Sequence, residues 1–238
     1  PALIQLGLWN PDDLLRKNAI AALVKVGPTA IDPLIKALKG KEPRVRAGAA
    51  QALGVLSEKK AIAPLIEVLA DKETIVRQEA FTSLIAIGSP ATNGLIKGLV
   101  HPSPSVRRNA SVILRRIGRP TVQPLTQATS HANPGMRAAA TRLLGQIGDP
   151  MAIPFLVKAL RDPQEAVQEL AVEAIVPFGQ KAIDPLVAVL RENEPVFHGR
   201  AFSALTGIGK PVVPALSALI ADSKVDYNVR ARAGKILR

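Results

Sequence analysis

Apolar residues recur at helical spacing throughout the chain, and they come in pairs of short stripes. In one pair, the first stripe consists of Ile31, Leu34, Ile35 and Leu38. The second stripe consists of Val45, Ala49, Leu53 and Leu56. Spacings of three, four and seven place such residues on one face of an α-helix, and the alternation typical of a half-buried strand is absent from the sequence. The pattern therefore predicts an all-α chain built from helix pairs.

The predicted helix pairs repeat with a period of about 30 to 31 residues. One position of the repeat holds an arginine six times, at Arg16, Arg46, Arg77, Arg107, Arg137 and Arg230. Gln168 and His198 occupy the same position in two other repeats. An alanine follows this position three residues later, and an aliphatic residue follows that alanine four residues later. Self-similarity at this period is typical of a stacked-repeat solenoid.

The repeat sets the predicted domain organisation. We expect one solenoid over residues 1–238, with about seven helix pairs and repeat boundaries near 10, 41, 72, 102, 132, 163, 193 and 223. Because Pro1-Ala2-Leu3 resembles the middle of a repeat, the chain is expected to be a fragment of a longer protein.

Prolines and glycines mark the predicted helix ends. Four prolines are expected in the first turn of the first helix of a pair, where a missing N–H is tolerated: Pro33, Pro64, Pro124 and Pro185. A glycine closes most second helices as a left-handed C-cap, with Ser57 as the exception. Pro177 is expected to kink or shorten its helix.

Three segments carry a family resemblance: AIDPLIKAL (30–38), VRAGAAQALGVL (45–56) and VRRNASVILRRIG (106–118). They resemble HEAT repeats, of the short subtype named after phycobilisome lyases. The resemblance implies a right-handed α-α superhelical solenoid, in which each repeat has a helix A and a helix B and the B helices line the concave surface. Such repeats occur in interaction scaffolds, chromophore lyases and protein-assembly factors.

The recurring arginine has a structural interpretation that the resemblance supplies. In HEAT-like proteins this arginine and an acid near the turn between helices A and B commonly form a ladder between stacked repeats. Six residues before each arginine position, the turn holds Asn10, Gly40, Asp71, His101, His131, Asp162 or Glu192. Because His101 and His131 are not acids, Arg107 and Arg137 are expected to lack an acid in their own repeat.

Charge is distributed unevenly along the chain, whose formal net charge is +12. No aspartate or glutamate occurs between Ala80 and Gly148, and this stretch holds eight basic residues. On helical geometry, Arg108 and Arg115 lie opposite the apolar stripe of their B helix, with Arg116 at its margin and Arg142 facing outward in the next repeat. The predicted partner-binding residues are Arg107, Arg108, Arg115, Arg116, Arg137 and Arg142. An ordinary solvated helix face is the alternative.

Small and branched residues suggest a second feature of the B helices. Val24, Ile85, Val112 and Val176 share one outward position, with Gly54 and Gly145 among the small residues nearby. This arrangement would let another helix approach closely. A slightly different packing phase of the repeat would explain the same pattern, and the sequence leaves both readings open.

Catalytic, metal and cofactor sites are not predicted. The chain has no cysteine, its three histidines lack companion ligands at metal spacing, and its glycines are spaced as helix caps. No run approaches the roughly 18 apolar residues of a membrane span. We therefore expect a non-enzymatic protein without a cofactor, and we expect a cytoplasmic location.

The charge pattern leads to three hypotheses of function. The first is an interaction scaffold that binds an acidic protein segment on the concave B-helix surface. The second is a phycobilin lyase-like chromophore-handling factor, in which arginines would hold tetrapyrrole propionates. The third is weak, non-specific nucleic-acid binding, with little base stacking because the chain has one tryptophan and one tyrosine.

Overall fold

The computed structural model describes residues 3–192 and 195–237. These residues form two compact units, whose bounds along the chain are Pro1–Thr121 and Val122–Arg238. The repeat boundary expected near residue 193 lies outside the described residues. Within the described ranges the chain forms fifteen α-helices and no strand, which confirms the all-α prediction. The prediction of one continuous solenoid over 1–238 stays a prediction.

The N-terminal unit begins with a π-helical turn (Leu3–Gly7). Seven helices follow: α1 (Asp13–Val26), α2 (Ile31–Ala37), α3 (Pro43–Leu56), α4 (Lys59–Glu67), α5 (Thr74–Ile87), α6 (Thr92–Gly98) and α7 (Pro104–Ile117). The short helices α2, α4 and α6 are A helices, and each packs on the B helix that follows it. The B helices also pack in sequence, α1 on α3, α3 on α5 and α5 on α7.

The C-terminal unit repeats the same arrangement. Its helices are α8 (Val122–Ala128), α9 (Pro134–Ile147), α10 (Ile153–Ala159), α11 (Glu165–Ile175), α12 (Gln180–Arg191), α13 (Pro195–Ile208), α14 (Val213–Ala221) and α15 (Tyr227–Ile236). The A helices α8, α10, α12 and α14 pack on the B helices that follow them. Together the two units contain seven A–B pairs in the described residues, in agreement with the predicted number.

Leucine, isoleucine, valine and alanine form the core, as the repeat pattern predicts. Helical spacing in α7 predicts a stripe of Val106, Ala110, Ile113, Leu114 and Ile117, and the first four of these residues are fully buried. Burying one such Leu or Ile side chain stabilises the fold by about 1.5–3 kcal/mol. Because each stripe meets only neighbouring helices, the core is shared between adjacent repeats.

Helix ends agree with the sequence signals, with two corrections. All six glycines predicted to close B helices have positive φ, but only Gly148 is in the left-handed α region, since the other five have ψ between −128° and −146°. Ser57 has φ 54° and takes the left-handed conformation that Gly148 has at the end of α9. The helix α11 ends at Ile175 and a 3-10 turn holds Pro177, so this helix is shortened as expected. The placement of Pro64 and Pro185 in a first turn is wrong, because α4 and α12 begin five residues before these prolines.

Candidate partner-binding site

Five of the six recurring arginines form hydrogen bonds to the turn that precedes their B helix. Each donates from Nη1 to the backbone carbonyl six residues earlier, at 2.7–3.0 Å, in the series Arg16, Arg46, Arg77, Arg107 and Arg137. The two replacements occupy the same place: Gln168 Nε2 donates to Asp162 O at 2.6 Å, and His198 Nε2 lies 3.0 Å from Glu192 O. The turn carbonyls have no helical donor of their own, so this side-chain donor satisfies them.

The turn residues have a second, shared role as acceptors. Asp71 Oδ1 accepts the N–H of Glu73 at 2.9 Å, and Asp162 Oδ1 accepts that of Gln164 at the same distance. His101 Nδ1 and His131 Nδ1 accept the N–H two residues ahead at 3.1 and 3.0 Å. A histidine therefore replaces the aspartate as a turn acceptor without supplying its negative charge. No group of metal-ligating side chains occurs in the part of the chain that the structure describes.

Two of the arginines also form ion pairs with the acid of the following repeat. Arg46 Nε and Nη2 donate to the two carboxylate oxygens of Asp71 at 2.7 and 2.9 Å. Arg137 binds Asp162 in the same bidentate way at 2.6 and 2.8 Å. The paired side chains are 5–12% exposed. This geometry is the one in which arginine–carboxylate pairs are strongest.

These pairs shift the pKa values of both partners. Burial raises the pKa of Asp71, but hydrogen bonds from Arg46 and from the Glu73 N–H outweigh burial, so the net pKa lies below the ordinary aspartate value. The same balance, with Arg137 and the Gln164 N–H, lowers the pKa of Asp162. The hydrogen bond to Asp71 raises the pKa of Arg46 above its ordinary value. Both acids are therefore held in the ionised form.

The ladder differs from the expected one in its register. The acid that pairs with an arginine comes from the following repeat, 25 residues ahead, and not from the arginine's own repeat. Arg137 has no acid in its own repeat, as expected, but Asp162 of the following repeat binds its guanidinium. The turn histidines instead follow Arg77 and Arg107, and neither arginine forms an ion pair with any described residue. The charge of Arg137 is therefore neutralised within the fold.

The structure places four predicted arginines on α7 in the N-terminal unit. Arg108, Arg115 and Arg116 are exposed on this helix, and Arg107 is exposed beside its turn. No residue in 3–192 or 195–237 forms a hydrogen bond or ion pair with Arg108 or Arg115. The guanidinium of Arg116 lies over the ring of Phe81, 5.3 Å from its centroid. Arg142 is exposed on α9 in the C-terminal unit.

Clefts lie between successive B helices inside each unit. A cleft of about 560 Å³ between α5 and α7 is lined by Arg77, Phe81, Asn109 and Arg116, among others. A cleft of about 400 Å³ between α1 and α3 contains Lys17, Lys25 and Val55. In the C-terminal unit, Arg142, Glu173 and Pro177 line a cleft of about 350 Å³ between α9 and α11. Basic side chains thus border a B-helix cleft in both units.

The small B-helix residues serve packing between neighbouring helices. A Cβ placed on Gly54 would lie 2.4 Å from the Cβ of Ser83 in the next B helix. A Cβ on Gly145 would lie 2.6 Å from that of Ala174. The neighbouring B helix of the same unit already occupies the space beside both glycines. Gly54 and Gly145 therefore pack inside the repeat stack, and they do not leave an open face for another helix.

Sequence reasoning missed Arg77, Phe81 and Asn109 as members of a candidate site. The available signal was His101, since the turn residue of one repeat decides whether the arginine of the preceding repeat has a carboxylate. The acid in the arginine's own repeat does not indicate this pairing, because the acid that pairs lies in the following repeat.

Comparison with known families agrees with the repeat geometry. The family model described as HEAT repeats matches residues 1–91, 92–176 and 153–238. The chain belongs to the HEAT-repeat family, as the sequence resemblance implied. HEAT-repeat proteins typically act as protein-interaction scaffolds, and this fold is generally non-enzymatic. A search of curated proteins finds no match.

Solved structures with a similar fold are distant in sequence. Human deoxyhypusine hydroxylase is 24% identical, with a TM-score of 0.38 over 99% of this chain and 93% of that one. The complex of CpcE and CpcF of phycocyanin lyase from Nostoc sp. PCC7120 is 23% identical, with a TM-score of 0.42 over 62% and 98%. An archaeal HEAT-like repeats protein from Thermococcus onnurineus NA1 is 15% identical, with a TM-score of 0.40 over 98% and 94%.

Among the described residues, no single helix is long and apolar enough to cross a membrane, and one bent pair, Val196–Ile208 with Lys210–Ala221, passes that test by length and composition only.

Proposed function

We propose that this protein is a non-enzymatic scaffold that binds an acidic protein segment through basic side chains on its B helices. The contributing residues are Arg107, Arg108, Arg115 and Arg116 on α7 of the N-terminal unit and, as a separate position in the C-terminal unit, Arg142 on α9. The observation that carries the proposal is that Arg108 and Arg115 are exposed and have no acidic partner among the described residues. Their charge is therefore available to a ligand.

The distribution of acids supports the same interpretation. Arg46 and Arg137 hold the ladder together and are largely buried, so their charge is neutralised inside the fold. The acid-free stretch from Ala80 to Gly148 leaves the exposed arginines of α7 with no such neutralisation. Uncompensated charge on one helix face raises the association rate of an oppositely charged partner and selects its sign.

A labelled acidic peptide tests this proposal. We expect a glutamate-rich 12-residue peptide, followed by fluorescence anisotropy at low salt, to bind the unaltered protein. Reversing three charges in Arg108→Glu, Arg115→Glu and Arg142→Glu should weaken binding by about 10- to 100-fold, since each exposed pair contributes roughly 0.2–1 kcal/mol and reversal adds repulsion. Binding should also weaken as salt rises, because exposed charges are screened.

The matched control carries the same change in net charge on the other helices. Lys36, Lys97 and Lys158 lie at one equivalent position of α2, α6 and α10, and all three are exposed. The triple variant Lys36→Glu, Lys97→Glu and Lys158→Glu should lose much less affinity than the arginine triple. Equal losses in the two triples would show that only net charge matters, and the proposed B-helix face would then be abandoned.

The two other ligand classes stay predictions with their own measurements. A shift of the absorbance spectrum on mixing with a bilin would favour a chromophore-handling role. Salt-dependent retention of DNA, abolished by the arginine triple and not by the lysine triple, would favour nucleic-acid binding.

A further inference from the structure

Arg77, on one wall of the cleft between α5 and α7, keeps the turn contacts of Arg46 but lacks its carboxylate partner. Arg77 Nη1 donates to Asp71 O and Lys72 O at 2.7 and 2.8 Å, which matches the turn contacts of Arg46. Arg46 and Arg77 differ in what binds the other edge of the guanidinium group. In Arg46 this edge, Nε with Nη2, holds both oxygens of Asp71.

In Arg77 the same edge has no carboxylate. Nη2 donates to the hydroxyl of Thr74 at 2.8 Å, and no described residue forms an ion pair with the group. The reason is His101, which occupies the turn position of the following repeat and accepts a backbone N–H through Nδ1. Arg77 and Thr74 both line the cleft, so this edge borders a cavity of about 560 Å³.

We infer that the α5–α7 cleft is a binding pocket for one glutamate or aspartate side chain of the partner segment, held between Arg77 and Arg116. This inference rests on the proposed function and deepens it. The partner's carboxylate pairs with Arg77 from the cleft, since His101 already occupies the turn position from which Asp71 pairs with Arg46. Arg116 supplies a second cation from the other wall of the cleft, where the Phe81 ring supports it.

The remaining lining residues restrict the ligand. Phe81 is half-buried and offers an apolar surface, which suits an aliphatic residue next to the acid. Glu79 also lines the cleft, and burial raises the pKa of its carboxyl above the ordinary glutamate value. Its negative charge opposes any acid in the cleft, and it opposes two acids more strongly than one. The ligand class is therefore a single carboxylate beside an apolar side chain, as in a Leu-Glu-Leu sequence.

Two blocked peptides that differ in one functional group test the pocket. Acetyl-Leu-Glu-Leu-amide and acetyl-Leu-Gln-Leu-amide are titrated to millimolar concentration while NMR follows the Phe81 ring and the arginine Nε–H signals. We expect the glutamate peptide to bind at least about tenfold more tightly, as charge-assisted hydrogen bonds allow. Equal binding of the two peptides would overturn the inference.

Variants separate the pocket from general basicity. Arg77→Gln should remove the preference for the glutamate peptide while keeping the turn, because Gln168 makes the same carbonyl contact in its own repeat. His101→Asp should remove the preference with both arginines retained, since it supplies the acid that Asp71 supplies to Arg46. Glu79→Gln should strengthen binding. The exposed Arg44 of α3 provides the control, and Arg44→Gln should leave the preference unchanged.

The outcomes distinguish this inference from the proposed function. If Arg77→Gln and His101→Asp leave the glutamate preference intact, the pocket is wrong, whatever the long acidic peptide does. The arginine triple keeps Arg77 and Arg116. If that triple loses binding of the long acidic peptide, the result supports the proposed scaffold function, and it gives no support to the α5–α7 pocket. Tighter binding of inorganic phosphate than of the glutamate peptide would overturn the assignment to a protein carboxylate.

Discussion

Helices α3 and α5 pack closely against each other, whereas α5 and α7 leave a cleft, although all three are B helices of successive repeats in the N-terminal unit. Between α3 and α5, Arg46 is paired with Asp71. Because Gly54 has no Cβ, Ser83 of α5 packs directly against it. Between α5 and α7, Arg77 has no acid, and the residue equivalent to Gly54 is Ile85.

In the C-terminal unit the same two features occur between α9 and α11, beside the smaller cleft of about 350 Å³. Arg137 is paired with Asp162, and Gly145, eight residues after Arg137, lies against Ala174. An acid in the following turn and a glycine on the helix therefore occur together twice. The acid and the glycine, about 17 positions apart, therefore occur together where successive B helices make their closest contact.

The largest expected effect comes from removing the acid of the closed pair. Asp71→Ala should reduce the free energy of unfolding by about 3–5 kcal/mol, because Arg46 is left buried without its counter-charge. Urea unfolding measures this change. Asp32, an exposed acid beside Lys60, is the control, and Asp32→Ala should cost less than about 1 kcal/mol. Similar losses at both sites would show that the buried pair has no special role.

A smaller loss is expected from filling the glycine of the closed pair. Gly54→Ala should destabilise the protein by about 1–3 kcal/mol, because its Cβ would lie 2.8 Å from the backbone Cα of Ser83. Gly199 in α13 has nothing within 4 Å of an added Cβ. Gly199→Ala should therefore stabilise by up to about 1 kcal/mol through helix propensity. Thermal unfolding of both variants checks the opposite signs, and a neutral Gly54→Ala would contradict the close packing.

The smallest expected effect is a difference in pH dependence between the two regions. The pKa of Asp71 is lowered in the fold, so its contribution to stability is present above the unfolded pKa and is lost as pH falls through the folded value. The pKa of Glu79 is raised, so stability falls as pH rises from the unfolded pKa through the folded one.

Unfolding measured from pH 3 to pH 7 separates these two contributions. Asp71→Asn should flatten the acid side of the stability profile, and Glu79→Gln should raise stability at neutral pH. A profile that Glu79→Gln leaves unchanged would mean that the cleft does not penalise this carboxylate.

Much of the fold followed from local pattern in the sequence. The stripe Val106, Ala110, Ile113 and Leu114 predicted the buried face of α7, because helical spacing and apolarity alone decide which face avoids water. Left-handed caps such as Gly148 were equally predictable. The starts of α4 and α12 were not, since a proline inside a helix is tolerated only when tertiary packing compensates for its missing hydrogen bond.

The candidate site was only partly predictable for a different reason. Exposure of Arg108 and Arg115 followed from their angle on the helix. The availability of Arg77 and the pairing of Arg137 did not, because an ion pair joins residues 25 positions apart and its register depends on how one repeat stacks on the next.

The sequence by itself determined the repeat, the helix pairs, the buried stripes and the excess of positive charge between Ala80 and Gly148. Each of these depends on the spacing or the composition of residues along the chain. Only the tertiary structure decided which arginines are neutralised and which B helices close on each other. Those outcomes depend on contacts between repeats, where the distance from Arg46 to Asp71, or the space beside Gly54, is fixed by packing and not by the order of residues.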